Sequence, residues 1–533
     1  MPIDRHLVLP HRLADLAAER PDLPAMIDVG GRSLTWARFH DANLRWAAAY
    51  RAAGVGAGDT VVTMLPNSFE AYHAWIGAAW LRAIEVPANN MYRGHMLQYL
   101  LNDSDATVLV IAERFVDRLE LVAGDVAHLR TVVVPDASGP LPELPFEVVR
   151  GDELLASVEP ADDLAGPEVW DTAALIYTSG TTGPSKGVVV PWGELFQSPM
   201  ILPDDFVEPG DPYYTMYPAF HLSGKCGLYN AAHTKSHLVV REALSITEFW
   251  DDIRRYEVRS AGLLGPIAAM LMTMPARDDD ADNPLERVVM GPIIPNIDDF
   301  KARFGVKHVT TGFGMTEIGF PIAAPWDPPN ARTCGRRREG PPHFDIKIVD
   351  EHDIEVPVGT VGELLVRAYD PWVMNVGYWK APEHTARAWR NGWFHTGDAF
   401  VEDEDGWLYF VDRMKDSLRR RGENISSFEV EAGVLQHPAV AEVAVVGVPS
   451  DLGEDEVKAV IVRHADQPLT PEELIEFLVP RMPRFMIPRY VEFVDALPKT
   501  DGTFRVRKVE LRETLVTAAT WDREAAGVVI PKD

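Results

Sequence analysis

Through roughly the first 330 residues, short apolar runs alternate with stretches of helical periodicity. The pattern predicts strands at 60–65, 106–112, 131–134, 173–177, 237–240, 261–264 and 306–311, and helices over 68–84 and 245–256. Alternation of this kind places mainly parallel sheets between layers of helices. Ligands in such folds bind where strands end and loops begin. After about residue 341 the texture changes. Residues 344–349 and 362–368 read as alternating strands joined by a polar turn with Pro357 and Gly359, and 407–411 follows. This predicts a small antiparallel, barrel-like unit over 341–411. A charged stretch from Asp412 to Arg421 leads into a last unit, where 443–448 and 457–462 predict a hairpin. There Thr470, Pro471 and Glu473 supply a cap, a first-turn proline and a capping-box glutamate for a helix. The fold class is α/β. A large N-terminal part, 1–415, holds two helix-covered sheets plus the barrel-like unit, and a small α+β part, 416–533, joins it near Asp416.

Composition narrows the function. At about 150 residues per domain, 533 residues make three or four units. A hydrophobic share of 46% is ample to offset chain entropy, which excludes general disorder. The 51 Lys and Arg residues against 80 Asp and Glu leave a formal charge of −29. Such a surface repels nucleic acid and anionic membranes, so any polyphosphate must be held by a locally arranged site. Two cysteines, Cys226 and Cys334, do not make a disulfide framework or a cysteine-built metal site. Residues 1–10 include Asp4, Arg5 and His6 and lack the apolar core of a secretory signal, and no run approaches 18 apolar residues. The expectation is a soluble cytoplasmic enzyme with no nucleic-acid partner and no membrane insertion. Its oligomeric state is not legible.

The sharpest local signal is Tyr177-Thr178-Ser179-Gly180-Thr181-Thr182-Gly183-Pro184-Ser185-Lys186-Gly187, directly after an apolar strand. Its glycines permit a tight turn and close backbone approach. Its hydroxyls, loop N–H groups and Lys186 can donate to phosphate oxygens. The spacing is not that of the kinase and GTPase P-loop. This stretch resembles the signature loop of the adenylate-forming superfamily, which includes acyl-CoA synthetases, luciferase and peptide-synthetase adenylation domains. Further motifs of that family follow in order across nearly the whole chain.

Gly312-Phe313-Gly314-Met315-Thr316-Glu317 resembles the next of these. The resemblance implies Phe313 packing on adenine, Thr316 at the α-phosphate and Glu317 holding Mg²⁺, a hard cation suited to oxygen ligands. In Trp393-Phe394-His395-Thr396-Gly397-Asp398, Asp398 would accept hydrogen bonds from the ribose hydroxyls. Asp412-Arg413-Met414-Lys415-Asp416 is expected to bring Arg413 near the ribose and to make Asp416 the pivot of a mobile C-terminal domain. The strip through Arg419-Arg420-Arg421-Gly422-Glu423-Asn424-Ile425 would then line the pantetheine tunnel, with Gly422 in the nucleotide-binding set. Tyr217-Pro218-Ala219-Phe220-His221-Leu222-Ser223-Gly224 resembles the segment flanking the acyl pocket, which gives His221 a pocket role. Gly291-Pro292-Ile293-Ile294-Pro295 fits the loop over the adenine. His233 and His237 have helical metal spacing, without an evident third ligand.

One position departs from the family. Its catalytic lysine follows a Pro-Lys-Thr loop, whereas here Pro498-Lys499-Thr500-Asp501-Gly502-Thr503-Phe504-Arg505-Val506-Arg507-Lys508 places Arg505 at that point. Arginine keeps the charge but presents a planar fork. Arg505 could serve as the adenylation cation, Lys508 or Lys499 could reach the site instead, or the first half-reaction could be retuned. The resemblance implies an acid–CoA ligase (AMP-forming) that uses ATP, Mg²⁺ and coenzyme A and acts on a small or aromatic carboxylic acid. Residues 521–527 bring it closest in texture to bacterial synthetases related to crotonobetaine/carnitine-CoA ligase. The alternatives are a non-CoA acceptor, an unusual acid such as nitrite for diazotisation of an aryl amine, or a degenerate nucleotide-binding sensor.

Overall fold

The computed structural model describes residues 4–178, 185–413, 417–420, 423–450, 453–464, 467–498 and 506–531. Two seven-stranded sheets organise the N-terminal part. The first runs Glu147–Arg150, Thr131–Val134, Val108–Ile111, Thr60–Met64, Ile84–Pro87, Thr172–Thr178 and Lys186–Pro191, parallel except at the last pair. The second runs His308–Thr310, Arg287–Gly291, Ser260–Leu264, Pro212–Thr215, His237–Val240, Pro24–Asp28 and Ser33–Thr35, again parallel until its final pair. Central strands such as Thr60–Met64 and Val108–Ile111 are buried at every residue, the pattern of a sheet covered on both faces. Among the described residues no helix is long and apolar enough to cross a membrane.

Local chemistry sets the helix ends. Ser68 accepts the Ala71 N–H and starts helix Phe69–Trp80, whose residues are nearly all buried. The pattern had extended this helix to residue 84. Instead Arg82 turns the chain at a φ of 58°, and Ile84 opens a strand in register with Thr60. The helix expected over 245–256 is shortened to Phe249–Arg255, because the Ser245 hydroxyl accepts the Glu248 N–H and holds the first residues in a turn.

The antiparallel unit is a seven-stranded sheet in the order Gly312–Met315, Gly319–Ala323, Thr333–Arg337, Leu408–Arg413, Phe394–Glu402, Gly362–Ala368 and Phe344–Val349. It therefore begins at Gly312, well before residue 341. The last unit has its own apolar core, running from Leu418 to Ile530, and Met91 and Met96 of the N-terminal part pack against it. Its hairpin pairs Val440–Pro449 with Asp455–Arg463, and Thr470 and Glu473 form the expected capping box on helix Pro471–Leu478. The proposed pivot Asp416 lies outside the described residues.

Candidate active site

Strand Thr172–Thr178 carries the chain into the candidate phosphate motif and strand Lys186–Pro191 follows it, with Thr178 opposite Lys186 in the ladder. Ser179, Gly180, Thr181, Thr182 and Gly183 lie outside the described residues. At the strand end, Thr178 Oγ1 donates to Glu317 Oε1 at 3.2 Å, and the Tyr378 hydroxyl donates to the same oxygen at 3.2 Å. Glu317 itself is buried, 6% exposed, in the turn between Gly312–Met315 and Gly319–Ala323. Asn375 holds the Glu317 carbonyl through its backbone N–H at 3.2 Å and through its side-chain amide. A buried carboxylate fixed this firmly has the oxygen-donor chemistry that Mg²⁺ requires. Thr316 and Phe313 are half-buried next to it.

Close backbone packing makes this hairpin. A side chain at Gly314 would overlap the Gly319 carbonyl and the Phe320 ring, and one at Gly312 would meet the Ile322 carbonyl at 2.8 Å. Beneath the turn, Glu194 Oε1 accepts the Gly319 N–H at 3.0 Å. Burial, then repulsion from Glu317, pushes the Glu194 carboxyl well above the ordinary range. The Phe313 ring meets Phe400 edge-on, with centroids 4.8 Å apart, and Phe400 in turn meets Phe410.

Asp398, 1% exposed, sits on strand Phe394–Glu402 opposite Arg413 in the ladder. The preceding turn is pinned by Glu363, which accepts the Gly397 N–H at 3.0 Å and lies 3.0 Å from His395 Nδ1. Gly397 takes a φ of 73°, where a side chain would be strained. The Arg413 side chain, Gly422, Lys499 and Arg505 lie outside the described residues. Lys508 Nζ is engaged within the C-terminal unit, 2.7 Å from both Glu431 Oε1 and Ser427 Oγ.

His221 immediately precedes helix Leu222–His233, and its Nε2 lies 3.1 Å from Glu423 Oε2 of the C-terminal unit. His233 ends that helix whereas His237 opens a strand, so their spacing is not one helical face. Gly291 ends its strand, and the loop after it lies against Gly265, where an added side chain would meet the Pro292 carbonyl at 2.6 Å. The motif reading missed Tyr378, Asn375 and Glu194. Only Glu194 left a trace, as a lone acid in an apolar segment after the phosphate loop.

Two helix-covered sheets, an antiparallel sheet with the buried Glu317 carboxylate in one of its turns, and a separately cored C-terminal unit make up the architecture of the adenylate-forming class of nucleotide-dependent enzymes. The AMP-binding enzyme family model matches residues 13–379, and its C-terminal domain model matches residues 429–502; the chain belongs to this family. The crotonobetaine/carnitine–CoA ligase of Citrobacter koseri is 30% identical over 480 residues, covering 88% of this chain and 91% of that protein. The o-succinylbenzoate CoA synthetase of Bacillus subtilis, bound to a product analogue, superposes with a TM-score of 0.80 at 23% identity, over 94% of this chain and 98% of that one. An amide bond synthetase from Marinactinospora thermotolerans gives a TM-score of 0.79 at 25% identity, over 95% and 99%.

Proposed function

We propose that this enzyme joins a small or aromatic carboxylic acid to AMP at the expense of ATP and then passes the acyl group to the thiol of coenzyme A. The observation that carries the reading is the convergence of Thr178, at the mouth of the phosphate loop, on the buried Glu317 carboxylate. A free carboxylate is a poor electrophile, since its charge repels nucleophiles and oxide leaves badly. Linkage to AMP removes both obstacles. Lys186 and the loop N–H groups would cradle the polyphosphate, and Asp398 would fix the ribose. Glu317, with Thr178 and Tyr378 holding one of its oxygens, would bind Mg²⁺, which when bound neutralises charge on the phosphate oxygens. Fixed charges in a dry site lower the barrier because they need no reorganisation. Phe313, Phe320, Phe220 and His221 would shape the acyl and adenine ends of the cleft, and Arg505 would supply the cation that the family draws from lysine.

The test is a screen of carboxylic acids with Mg·ATP, following pyrophosphate release with and without coenzyme A. Acid-dependent release followed by thioester formation supports the reading, and silence across the panel favours the sensor. The likeness to an amide bond synthetase supports a second reading, an amine as acceptor. Adding amines to the same screen separates it by product mass, and nitrite with an aryl amine tests the remaining alternative.

A further inference from the structure

Asp353 lies in the tight turn that follows strand Phe344–Val349, outside the contiguous motifs, and holds a φ of 63°. That is left-handed backbone, which favours glycine. Its carboxylate faces three groups from another part of the chain. Asn391, itself at a φ of 56°, donates to Oδ2 at 2.5 Å, Arg390 donates to Oδ1 at 3.2 Å, and His395 Nε2 lies 3.7 Å from Oδ2. Glu363, on strand Gly362–Ala368, shares two of these partners: its Oε2 lies 3.0 Å from His395 Nδ1 and accepts from Arg390 at 3.5 Å. Its other oxygen accepts the Gly397 N–H at 3.0 Å, and Gly397, at a φ of 73°, leads directly into Asp398. The buried imidazole is thus enclosed by two carboxylates, and Arg390 stands between the same two.

We infer that Asp353 is a positioning residue for Asp398: it holds Arg390 and so leaves Glu363 to His395 and to the Gly397 N–H, which set the turn that presents the Asp398 carboxylate to the ribose. The inference rests on the reading of Asp398 as the acceptor of the ribose hydroxyls. An aspartate at this backbone angle carries strain that glycine would not, and the contacts of its carboxylate offset that strain. Arg390 is the deciding group. Among the described residues its carboxylate partners are Asp353 and Glu363, with Asp353 the nearer. Burial pushes the Glu363 carboxyl up, but His395, the Gly397 N–H and Arg390 outweigh it and hold it below the usual range, as an anion. Without Asp353 the guanidinium closes on Glu363, because a two-oxygen carboxylate contact is the strongest it can make. The bond from the neutral Gly397 N–H is the weaker competitor and is the one given up. Thr396 still ties the turn to the Leu364 carbonyl at 2.7 Å, so Asp398 shifts while the fold stands.

The test titrates AMP and, separately, 2′,3′-dideoxy-AMP into the wild type, Asp353→Gly and Asp353→Gly/Arg390→Ala by calorimetry. Glycine suits the left-handed position, so Asp353→Gly is expected to keep the wild-type thermal midpoint. It is expected to weaken AMP roughly five-fold and to leave the dideoxy analogue, which offers Asp398 no hydroxyl, within about two-fold. Removing Arg390 as well takes away the competitor and is expected to restore AMP to within about two-fold of the wild type. Unchanged AMP affinity in Asp353→Gly overturns the inference. Equal weakening of both ligands, or a double variant no better than the single one, also overturns it and marks a general structural role. A wild type with no preference for AMP over the dideoxy analogue overturns the ribose reading itself, and the inference with it.

Discussion

His221 Nε2 lies 3.1 Å from Glu423 Oε2, a hydrogen bond that joins the residue preceding helix Leu222–His233 to strand Glu423–Ser426 of the C-terminal unit. Glu423 is 17% exposed at its side chain and His221 38%, so the bond is partly shielded from water. Such a contact can hold the two units together without contributing to adenylation. Replacing Glu423 with Ala is expected to slow acyl transfer roughly ten-fold, the worth of one charge-assisted hydrogen bond. Substrate-dependent pyrophosphate release should change less than about two-fold. Rapid-quench measurement of the two half-reactions checks this, and an equal loss in both would refute it.

Glu317 is the most constrained acid of the site, gripped through Oε1 by Thr178 and Tyr378 and through its carbonyl by Asn375. Glu317→Gln keeps the acceptor oxygen for those two hydroxyls while removing the charge. Pyrophosphate release should fall by a factor of about 10² or more, with a matching rise in the Mg²⁺ concentration needed for half-maximal rate. The thermal midpoint should move little. Retention of the wild-type rate and Mg²⁺ requirement would assign metal binding elsewhere.

Much of this molecule was legible in the order of its residues, for identifiable reasons. Strands 131–134, 237–240, 344–349 and 362–368 fall at the boundaries that apolar patterning suggests, because burial alone decides them. Helix ends were less legible: Arg82 and Ser245 redirect the chain through one backbone angle and one hydroxyl, which periodicity does not register. Among the candidate site residues, Thr178, Glu317 and Asp398 stand in contiguous motifs of the sequence. Tyr378 does not, since it reaches Glu317 from 61 residues away. It arrives because Trp379 N–H donates to the Gly187 carbonyl at 2.7 Å and Val189 N–H donates to the Gly377 carbonyl at 2.9 Å, pairing that no local pattern encodes.

His73 lies wholly inside helix Phe69–Trp80, with Nδ1 2.7 Å from Asn43 Oδ1 and its ring against Phe39. Burial brings its pKa down from 6.5 to about 4. The fold therefore keeps the ring neutral, while the unfolded chain takes up a proton below pH 6.5. The stability this residue contributes is complete above that point and is lost as pH falls toward 4, by roughly 3 kcal/mol. Burial pushes His11, His40, His233 and His237 the same way, which deepens the acid lability. Thermal midpoints across this range should drop for the wild type and drop measurably less for His73→Phe. Parallel curves for the two proteins would exclude the buried imidazole as a cause.

Lys225 and Glu85 form an ion pair at 1% and 3% side-chain exposure, beneath the helix that His221 immediately precedes. The Lys225 ammonium also lies 4.0 Å from the centre of the Trp75 ring, and Thr63 Oγ1 donates to Glu85 Oε1 at 2.8 Å. Burial pushes the lysine pKa down and the glutamate pKa up, so each group stays charged only through the other. Lys225→Met alone strands a carboxylate in the core, and Glu85→Leu alone strands an ammonium. Each should cost about 3–5 kcal/mol, read as a fall in the unfolding midpoint. The double variant Glu85→Leu/Lys225→Met replaces the pair with apolar groups of similar size and should recover most of that loss. Helix Leu222–His233 is tied to strand Ile84–Pro87 by this pair, so the single variants should also displace His221 and slow acyl transfer, and the double variant should restore it. Additive losses in the double variant would mean that the two residues act independently and that the pair does not set the helix.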